Sequence, residues 1–140
     1  MKVMVIIHGT RELEAVPPSP EVFTAMGNFN EELVNAGVMV AGEGLHPIST
    51  AKRVRFSKRG TAVLDGPFAE TKEWVAGFWI WQVKSMDEAV AWARRIPNPL
   101  GVESEVELRQ VHGPDDLADV MTPEARAQED RLRARLAAKD

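Results

Sequence analysis

The residues best suited to take part in a chemical reaction form one charged run, Asp65-Gly66-Pro67-Phe68-Ala69-Glu70-Thr71-Lys72-Glu73. The very apolar residues 74–81 follow it. Three carboxylates and one ammonium surround a Gly-Pro turn. Asp65 is the first candidate for a general base, a role that requires a pKa raised by burial or by a neighbouring carboxylate. Lys72 would then hold an anionic substrate or a developing enolate, and Glu70 is a further candidate contact to the substrate.

A structural role is the alternative for the same run. Asp65 can accept hydrogen bonds from backbone N–H groups of its own turn, and Pro67 stiffens that turn. Glu70, Lys72 and Glu73 would then lie in water. The run is a rigid scaffold under either interpretation.

Two histidines are candidates for proton transfer near neutral pH, where the imidazole group titrates. His8 ends the first predicted strand, and His46 lies in a glycine-rich bend over residues 42–47. Either could act as the catalytic partner of Asp65. Glu43 is a candidate substrate contact and, with both histidines, could form a divalent metal site. No two of the three histidines have a short ligand spacing, so we predict no metal.

Arg53 and Arg55 alternate with apolar residues along one predicted strand, which places both guanidinium groups on one face. Guanidinium groups bind carboxylates and phosphates through paired hydrogen bonds, so Arg55 is a candidate substrate-binding residue. The alternative is an edge strand that its charges protect from pairing with other chains.

The elements that must position these residues alternate between strands and helices. Strands are predicted at residues 3–8, 38–41, 53–56, 61–65, 75–83 and 102–109, and helices at residues 20–36 and 86–96. Ser19 and Ser85 are predicted helix caps, and Gly37 and Pro97 end the two helices. The order strand, helix, strand, hairpin, strand, helix, strand predicts an α+β fold. Its protomer would be ferredoxin-like, with an antiparallel sheet and both helices on one face.

Tryptophan placement predicts a homodimer. Trp79 and Trp81 have the same parity in the predicted central strand, so one side of the sheet carries large apolar surface. Association with a second copy of the chain would bury that surface in a homodimer interface. The set Trp74, Trp79, Trp81 and Trp92 could instead stack on a planar substrate, but positions in the core and the dimer interface are favoured, because aromatic side chains contribute most of the burial energy there.

Composition narrows the classes of function. The chain has 140 residues with 44% hydrophobic and 27% charged, which suits one compact domain. We assign that domain to residues 1–112 and a polar helical extension to residues 113–140. The absence of cysteine excludes disulfides, thiolate metal sites and cysteine nucleophiles. A net charge of −4 disfavours a nucleic-acid partner.

Further patterns are missing from the sequence. The apolar start of the chain is too short to cross a membrane or to act as a signal peptide, which predicts a cytoplasmic protein without a membrane partner. There is no phosphate-binding loop, dinucleotide fingerprint or nucleophile elbow, so we predict no cofactor.

These motifs resemble the YCII-related family, in the branch that carries a DGPF motif. The resemblance lies in Gly42-Glu43-Gly44-Leu45, the run from Asp65 to Glu73, Ala76-Gly77-Phe78, Gln82-Val83-Lys84-Ser85, Glu105-Val106-Glu107-Leu108-Arg109, Thr122-Pro123-Glu124, Glu129 and Arg131-Leu132-Arg133. It implies a dimeric α+β barrel of ferredoxin-like protomers. Relatives in the wider superfamily include isomerases, dehydrochlorinases and monooxygenases. The wider family carries a His and an Asp thought to be catalytic, but helix 20–36 of this chain has Asn28 and Asn30 and no histidine.

Two hypotheses follow. The first is a small dimeric enzyme that binds an anionic or cyclic metabolite and performs cofactor-free proton transfer, as in isomerisation or elimination. Asp65 would be its base, with His8 or His46 as partner. The second is a non-catalytic ligand sensor or protein partner, which the resemblance links to sigma-factor regulation. The C-terminal helix would then contact the other protein.

Overall fold

A computed structural model describes residues 1–17, 19–98 and 101–139. The strands are β1 (Lys2–Gly9), β2 (Met39–Gly44), β3 (Lys52–Ser57), β4 (Gly60–Asp65), β5 (Trp74–Gln82) and β6 (Val106–Gln110). The helices are α1 (Arg11–Glu14), α2 (Pro20–Asn35), α3 (Met86–Ala93) and α4 (Pro123–Ala137). Short 3-10 turns cover Ile48–Thr50 and Ala118–Val120.

Four strands form one antiparallel sheet in the order β2-β5-β1-β6. The two central strands are β5 and β1, as the apolar character of both predicts. α2 and α3 contribute to one hydrophobic cluster with the same sheet face. This arrangement confirms the predicted α+β, ferredoxin-like fold.

The core lies between this sheet and the helices. Trp79 and Trp81 are buried, with Trp81 fully inaccessible, and both rings contact Phe29 of α2 edge-on. Leu33, one helical turn further along α2, is also fully buried. The two tryptophans are therefore covered by helices of their own chain, because the sheet parity that they share faces α2. They do not supply the open surface that the dimer prediction assigned to them, and dimerisation itself stays a prediction.

The helix starts follow the predicted caps. The Ser19 hydroxyl accepts from the Val22 backbone N–H at 3.4 Å, and the Ser85 hydroxyl accepts from the Glu88 N–H at 3.1 Å. Each bond satisfies one donor that the first helical turn leaves free. These local signals fix where α2 and α3 begin, and hence how they lie against the sheet.

Three boundaries differ from the predicted ones. β2 runs through Gly42 to Gly44 instead of breaking there, because Gly42 packs closely against the Trp79 ring. β6 begins at Val106 instead of residue 102, and the last residue pair that it forms with β1 joins Ile7 and Val106. Between β1 and α2, where the sequence predicts no helix or strand, the structure has α1, which the Thr10 hydroxyl caps by accepting from the Leu13 N–H at 3.2 Å.

β3 and β4 form a separate two-stranded sheet. Every residue of β3 is exposed, and Phe56 retains 79% of its accessible surface. Where β4 ends, the Gly66 backbone N–H donates to the Ala51 carbonyl at 2.7 Å, and the Gly66–Pro67 peptide bond is cis.

Residues from Val111 onward form a second compact unit. α4 begins after Thr122, whose hydroxyl accepts from the Ala125 N–H at 3.1 Å. One helical turn apart on α4, Glu129 and Arg133 form an ion pair at 3.0 Å. A hydrogen bond from Arg126 to Asp115 raises the pKa of that guanidinium above its ordinary value. Within the described ranges, no helix combines the length and apolar character needed to span a membrane.

Candidate functional site

An open cavity of about 370 Å³ lies where β1 ends and α1 begins. Its lining includes His8, Thr10, Glu12, Leu13, Glu73 and Glu105. The register between β1 and β5 shifts between Ile7 and His8, where β5 has one extra residue, and the segment before β6 forms another part of the wall. Bulges are common next to functional sites, where they redirect side chains, and His8 directly follows this one.

His8 lies between two carboxylates. Its Nε2 atom is 3.2 Å from Glu107 Oε1, and its Nδ1 atom is 3.8 Å from Glu73 Oε2. An ionised carboxylate only accepts hydrogen bonds, so contact with Glu107 requires a proton on Nε2. In neutral His8 this leaves a lone pair on Nδ1, on the side of Glu73. The contact with Glu107 thus selects the tautomer of the neutral ring, whereas a hydrogen bond to ionised Glu73 would require a proton on Nδ1 as well.

The side chains of His8 and Glu73 differ in their exposure to solvent. The His8 side chain is 20% exposed, whereas that of Glu73 is 57% exposed. Nδ1 itself is enclosed by protein and has no hydrogen-bond partner in the described part of the chain. A ligand in the cavity therefore reaches the Glu73 carboxylate directly and reaches Nδ1 through it.

Glu73 is shared by three cavities. It lines the first with His8, a second of about 510 Å³ with Lys72, and a third of about 500 Å³ with His46. The first two cavities also share Thr10 and Glu12. The run from Asp65 to Glu73 therefore brings its last carboxylate, not its first, to the place where these cavities meet.

Glu14 of α1 supports the position of Glu73. Its Oε1 atom accepts from Trp74 Nε1 at 2.9 Å and from the Ile48 backbone N–H at 3.1 Å. One carboxylate therefore links α1, the turn before β3 and the first residue of β5. Because Trp74 directly follows Glu73, this link restrains the point at which the charged run enters the sheet.

Asp65 has different surroundings. Its side chain is 76% exposed, and its Oδ1 atom accepts from Lys52 Nζ at 2.5 Å across the β3–β4 hairpin. Asp65 does not line any of the three cavities that share Glu73, and neither do Arg55 and Glu70. All three side chains lie on exposed segments at or beyond the hairpin.

Arg53, the neighbour of Arg55 on the same strand, contacts the charged run. Its guanidinium lies 3.7 Å from the centre of the Phe68 ring and donates to Thr71 Oγ1 at 3.2 Å. A cation over an aromatic face and a hydrogen bond to the same segment hold the run against the hairpin. Arg53 therefore positions the run that carries Glu73.

The two other predicted site residues lie apart from His8. Glu43 lines a cavity of about 220 Å³ on the β2 side of the sheet, and His46 lines the cavity that extends towards the hairpin. His8, His46 and Glu43 thus occupy three different cavities. Over the described ranges, no group of three or more His, Asp or Glu side chains is placed to hold a metal ion.

The sequence analysis did not assign roles to Glu107, Glu14 and Glu12, and it placed Glu73 in water only under the structural interpretation of the charged run. Glu107 has one usable signal, because it lies among the charged residues on the wet face of a predicted strand. What brings it to His8 is the pairing of β6 with β1, in which Glu107 is opposite Ile6. That register is a tertiary property, which a single sequence does not specify.

Comparison with known proteins places the described site inside a recognised domain. A family model described as the YCII-related domain matches residues 1–112, which include His8, Glu73 and Glu107. An uncharacterized protein of Rhizobium meliloti (strain 1021) is 40% identical over 77 residues, which are 55% of this chain and 62% of that protein. The alignment thus covers less than two thirds of the relative. Since the family model matches well over half of the chain, this protein belongs to the YCII-related domain family.

Proposed function

We propose that the protein binds a small metabolite in the cavity at His8 and catalyses cofactor-free proton transfer, as in isomerisation or elimination. The observation that carries the proposal is the placement of His8 between Glu107 and Glu73. One carboxylate holds the imidazole ring, and the other lies between that ring and the cavity. Histidine and carboxylate side chains are the groups that most often transfer protons in general acid–base catalysis, and here they lie next to one another at a cavity.

Each residue has a distinct role in this proposal. Glu73 removes a proton from a carbon of the bound metabolite, because its carboxylate is the group that a ligand reaches. The proton then passes to His8 Nδ1, which lies 3.8 Å from Glu73 Oε2 and has to come within hydrogen-bond distance for the transfer. Glu107 stabilises the resulting imidazolium from the opposite side of the ring. Return of the proton to another carbon completes an isomerisation.

Thr10 supplies a hydrogen-bond donor for the charge that develops on the substrate. Its hydroxyl oxygen already accepts from the Leu13 N–H at 3.2 Å, so the hydroxyl proton remains to be donated. Thr10 lines both the first and the second cavity. A donor aimed at a developing oxyanion stabilises the transition state more than the ground state.

We also propose that the chain belongs to the DGPF branch of its family, because Asp65, Gly66, Pro67 and Phe68 spell that motif. In this proposal the motif is a scaffold. Its aspartate pairs with Lys52, its phenylalanine packs under Arg53, and the residues after it carry Glu73 to the cavities.

The enzymatic proposal is tested by deuterium exchange, which reports proton transfer without knowledge of the product. The full chain is incubated in heavy water with a panel of small aldehydes, ketones and amino acids, and loss of each carbon-bound proton is followed by NMR. We expect exchange with at least one compound. Glu73→Gln and His8→Asn should slow it by about 100-fold or more, the usual contribution of a general base.

Asp65→Asn is the matched control, because it neutralises the other end of the same run. It should exchange at the wild-type rate. If Asp65→Asn abolishes exchange and Glu73→Gln does not, the base is at the hairpin and the proposal is wrong. Compounds that bind without any exchange would favour the ligand sensor over the enzyme.

We propose further that two copies associate through the sheet face opposite α2 and α3. In support, Met4 and Ile80 are paired in register, and together with Phe78 they are half-buried apolar residues of the parity that faces away from the core. Sedimentation velocity should show a dimer that Phe78→Glu dissociates. Phe23→Glu on α2 should leave it intact, and a monomeric wild-type chain would contradict the proposal.

A further inference from the structure

The cavity at His8 carries an excess of negative charge. Besides His8 and Glu73, its lining includes Glu12, Glu103 and Glu105, and it contains no lysine or arginine. None of these four carboxylates forms an ion pair with a lysine or arginine within the described residues. Like charges repel, so this cavity disfavours the anionic group that the sequence analysis assigned to the substrate.

The adjoining cavity differs because its lining adds two cationic side chains to the carboxylates of Glu12 and Glu73. Arg11 and Lys72 both line it, and neither takes part in an ion pair over the part of the chain that the structure describes. Guanidinium and ammonium groups free of protein partners are suited to bind a carboxylate. The anionic end of a ligand therefore fits here and not beside His8.

The two cavities share one wall, made of Thr10, Glu12 and Glu73. A single small molecule can therefore place one group in each cavity and pass directly over Glu73. Its cationic group would face Glu103 and Glu105, and its anionic group would face Arg11 and Lys72. The carbon atoms between the two groups would lie at the carboxylate to which we assign proton removal.

We propose that the substrate is a zwitterionic metabolite that carries both an ammonium and a carboxylate group, such as an amino acid or a longer aminocarboxylate. This inference rests on the proposed function, because it assigns the substrate class to the same site. It replaces a purely anionic substrate by one whose charges match the two cavities separately.

Binding of matched probes tests the charge pattern. The full chain, labelled with nitrogen-15, is titrated at low ionic strength with β-alanine, γ-aminobutyrate, butylamine and butyrate. The side chains around both cavities are largely exposed, so each charge contact adds at most about fivefold in affinity. We expect an aminocarboxylate to bind about fivefold more tightly than either singly charged parent, with shifts at His8, Thr10 and Lys72.

Charge-removing variants identify which cavity holds which group. Lys72→Met should reduce the affinity for γ-aminobutyrate to that for butylamine, while Lys58→Met, at the tip of the hairpin, should not. Glu103→Gln should weaken the binding of butylamine and of γ-aminobutyrate but not that of butyrate. Glu21→Gln on α2 is the matched control and should leave all three affinities unchanged.

The outcomes separate this inference from the proposed function. If butyrate binds as tightly as γ-aminobutyrate, or if no probe shifts the cavity resonances, the zwitterionic substrate is ruled out, while proton transfer is still judged by deuterium exchange. If the Glu73→Gln variant catalyses deuterium exchange at the wild-type rate, the proposed function is wrong, whichever of the four compounds bind.

Discussion

The β3–β4 hairpin and the four-stranded sheet differ in burial and in the chemistry that they hold. Along β5, Gly77, Trp79 and Trp81 are buried, whereas β3 is exposed throughout and β4 has one half-buried residue, Leu64. The charged run connects the two regions. Its first carboxylate lies in water at the hairpin, and its last lies beside His8. Position in the fold therefore separates two carboxylates of one run: Asp65 forms an ion pair with a lysine of its own hairpin, whereas Glu73 lies next to a histidine that the sheet positions.

The largest expected effect contrasts one buried and one exposed apolar residue. Leu33→Ala removes a fully buried side chain from α2 and should lower the free energy of unfolding by about 2–5 kcal/mol. Phe56→Ala removes a larger but exposed side chain from β3 and should change it by less than about 0.5 kcal/mol. Urea denaturation measures both. Equal losses would mean that the hairpin is packed after all.

The junction between the two regions should be sensitive to one added methyl group. A Cβ atom at Gly66 would collide with the backbone oxygen of Ile48, so Gly66→Ala should cost about 1–3 kcal/mol in thermal unfolding. Gly27 lies on the exposed side of α2 with open space around its Cα atom. Gly27→Ala should therefore stabilise the protein by about 0.5–1 kcal/mol. If Gly66→Ala does not lower the stability, the backbone at this junction has room for a Cβ atom, contrary to the structure.

The indole N–H groups of the two core tryptophans should contribute differently to the free energy of unfolding. Trp79 Nε1 donates to Asn30 Oδ1 at 2.8 Å, but the buried Trp81 Nε1 has no partner within the described residues. Trp79→Phe should therefore destabilise the chain by about 1 kcal/mol more than Trp81→Phe, since only the first loses a hydrogen bond. Denaturant titration of both variants, with Asn30→Ala as the control, measures the difference. The reverse order would contradict the assigned bond.

The smallest expected effect concerns the hairpin ion pair. Lys52 and Asp65 are both mostly exposed, so their coupling in a double-mutant cycle of Lys52→Met and Asp65→Asn should stay below about 1 kcal/mol. It should fall further in high salt, which screens exposed charges. A larger coupling would show that Asp65 is held more firmly than its exposure indicates.

Much of the fold could be read from local patterns. Ser19 and Ser85 cap α2 and α3 as predicted, and the apolar runs identify β1 and β5 as central strands. Such features depend on neighbours in the sequence, so a single chain reveals them. The register shift between β1 and β5 and the late start of β6 escaped prediction because both arise from pairing between distant segments.

The candidate site was predictable only in part. His8 and Lys72 were identified by residue type, and the run that ends at Glu73 was recognised as the main charged motif. Which of its carboxylates faces a cavity depends on how the run crosses from hairpin to sheet, and that path is held by Arg53 and Glu14 through contacts far along the chain.

By itself the sequence determined the element types, the helix caps, the absence of thiol chemistry and the supply of carboxylates. Only the tertiary structure decided that Glu73 and Glu107 flank His8 and that Trp79 and Trp81 are covered by their own helices. The physical reason is the separation along the chain of the residues that interact. Caps and periodicity act between near neighbours, whereas these contacts depend on strand register and packing between segments far apart in the chain.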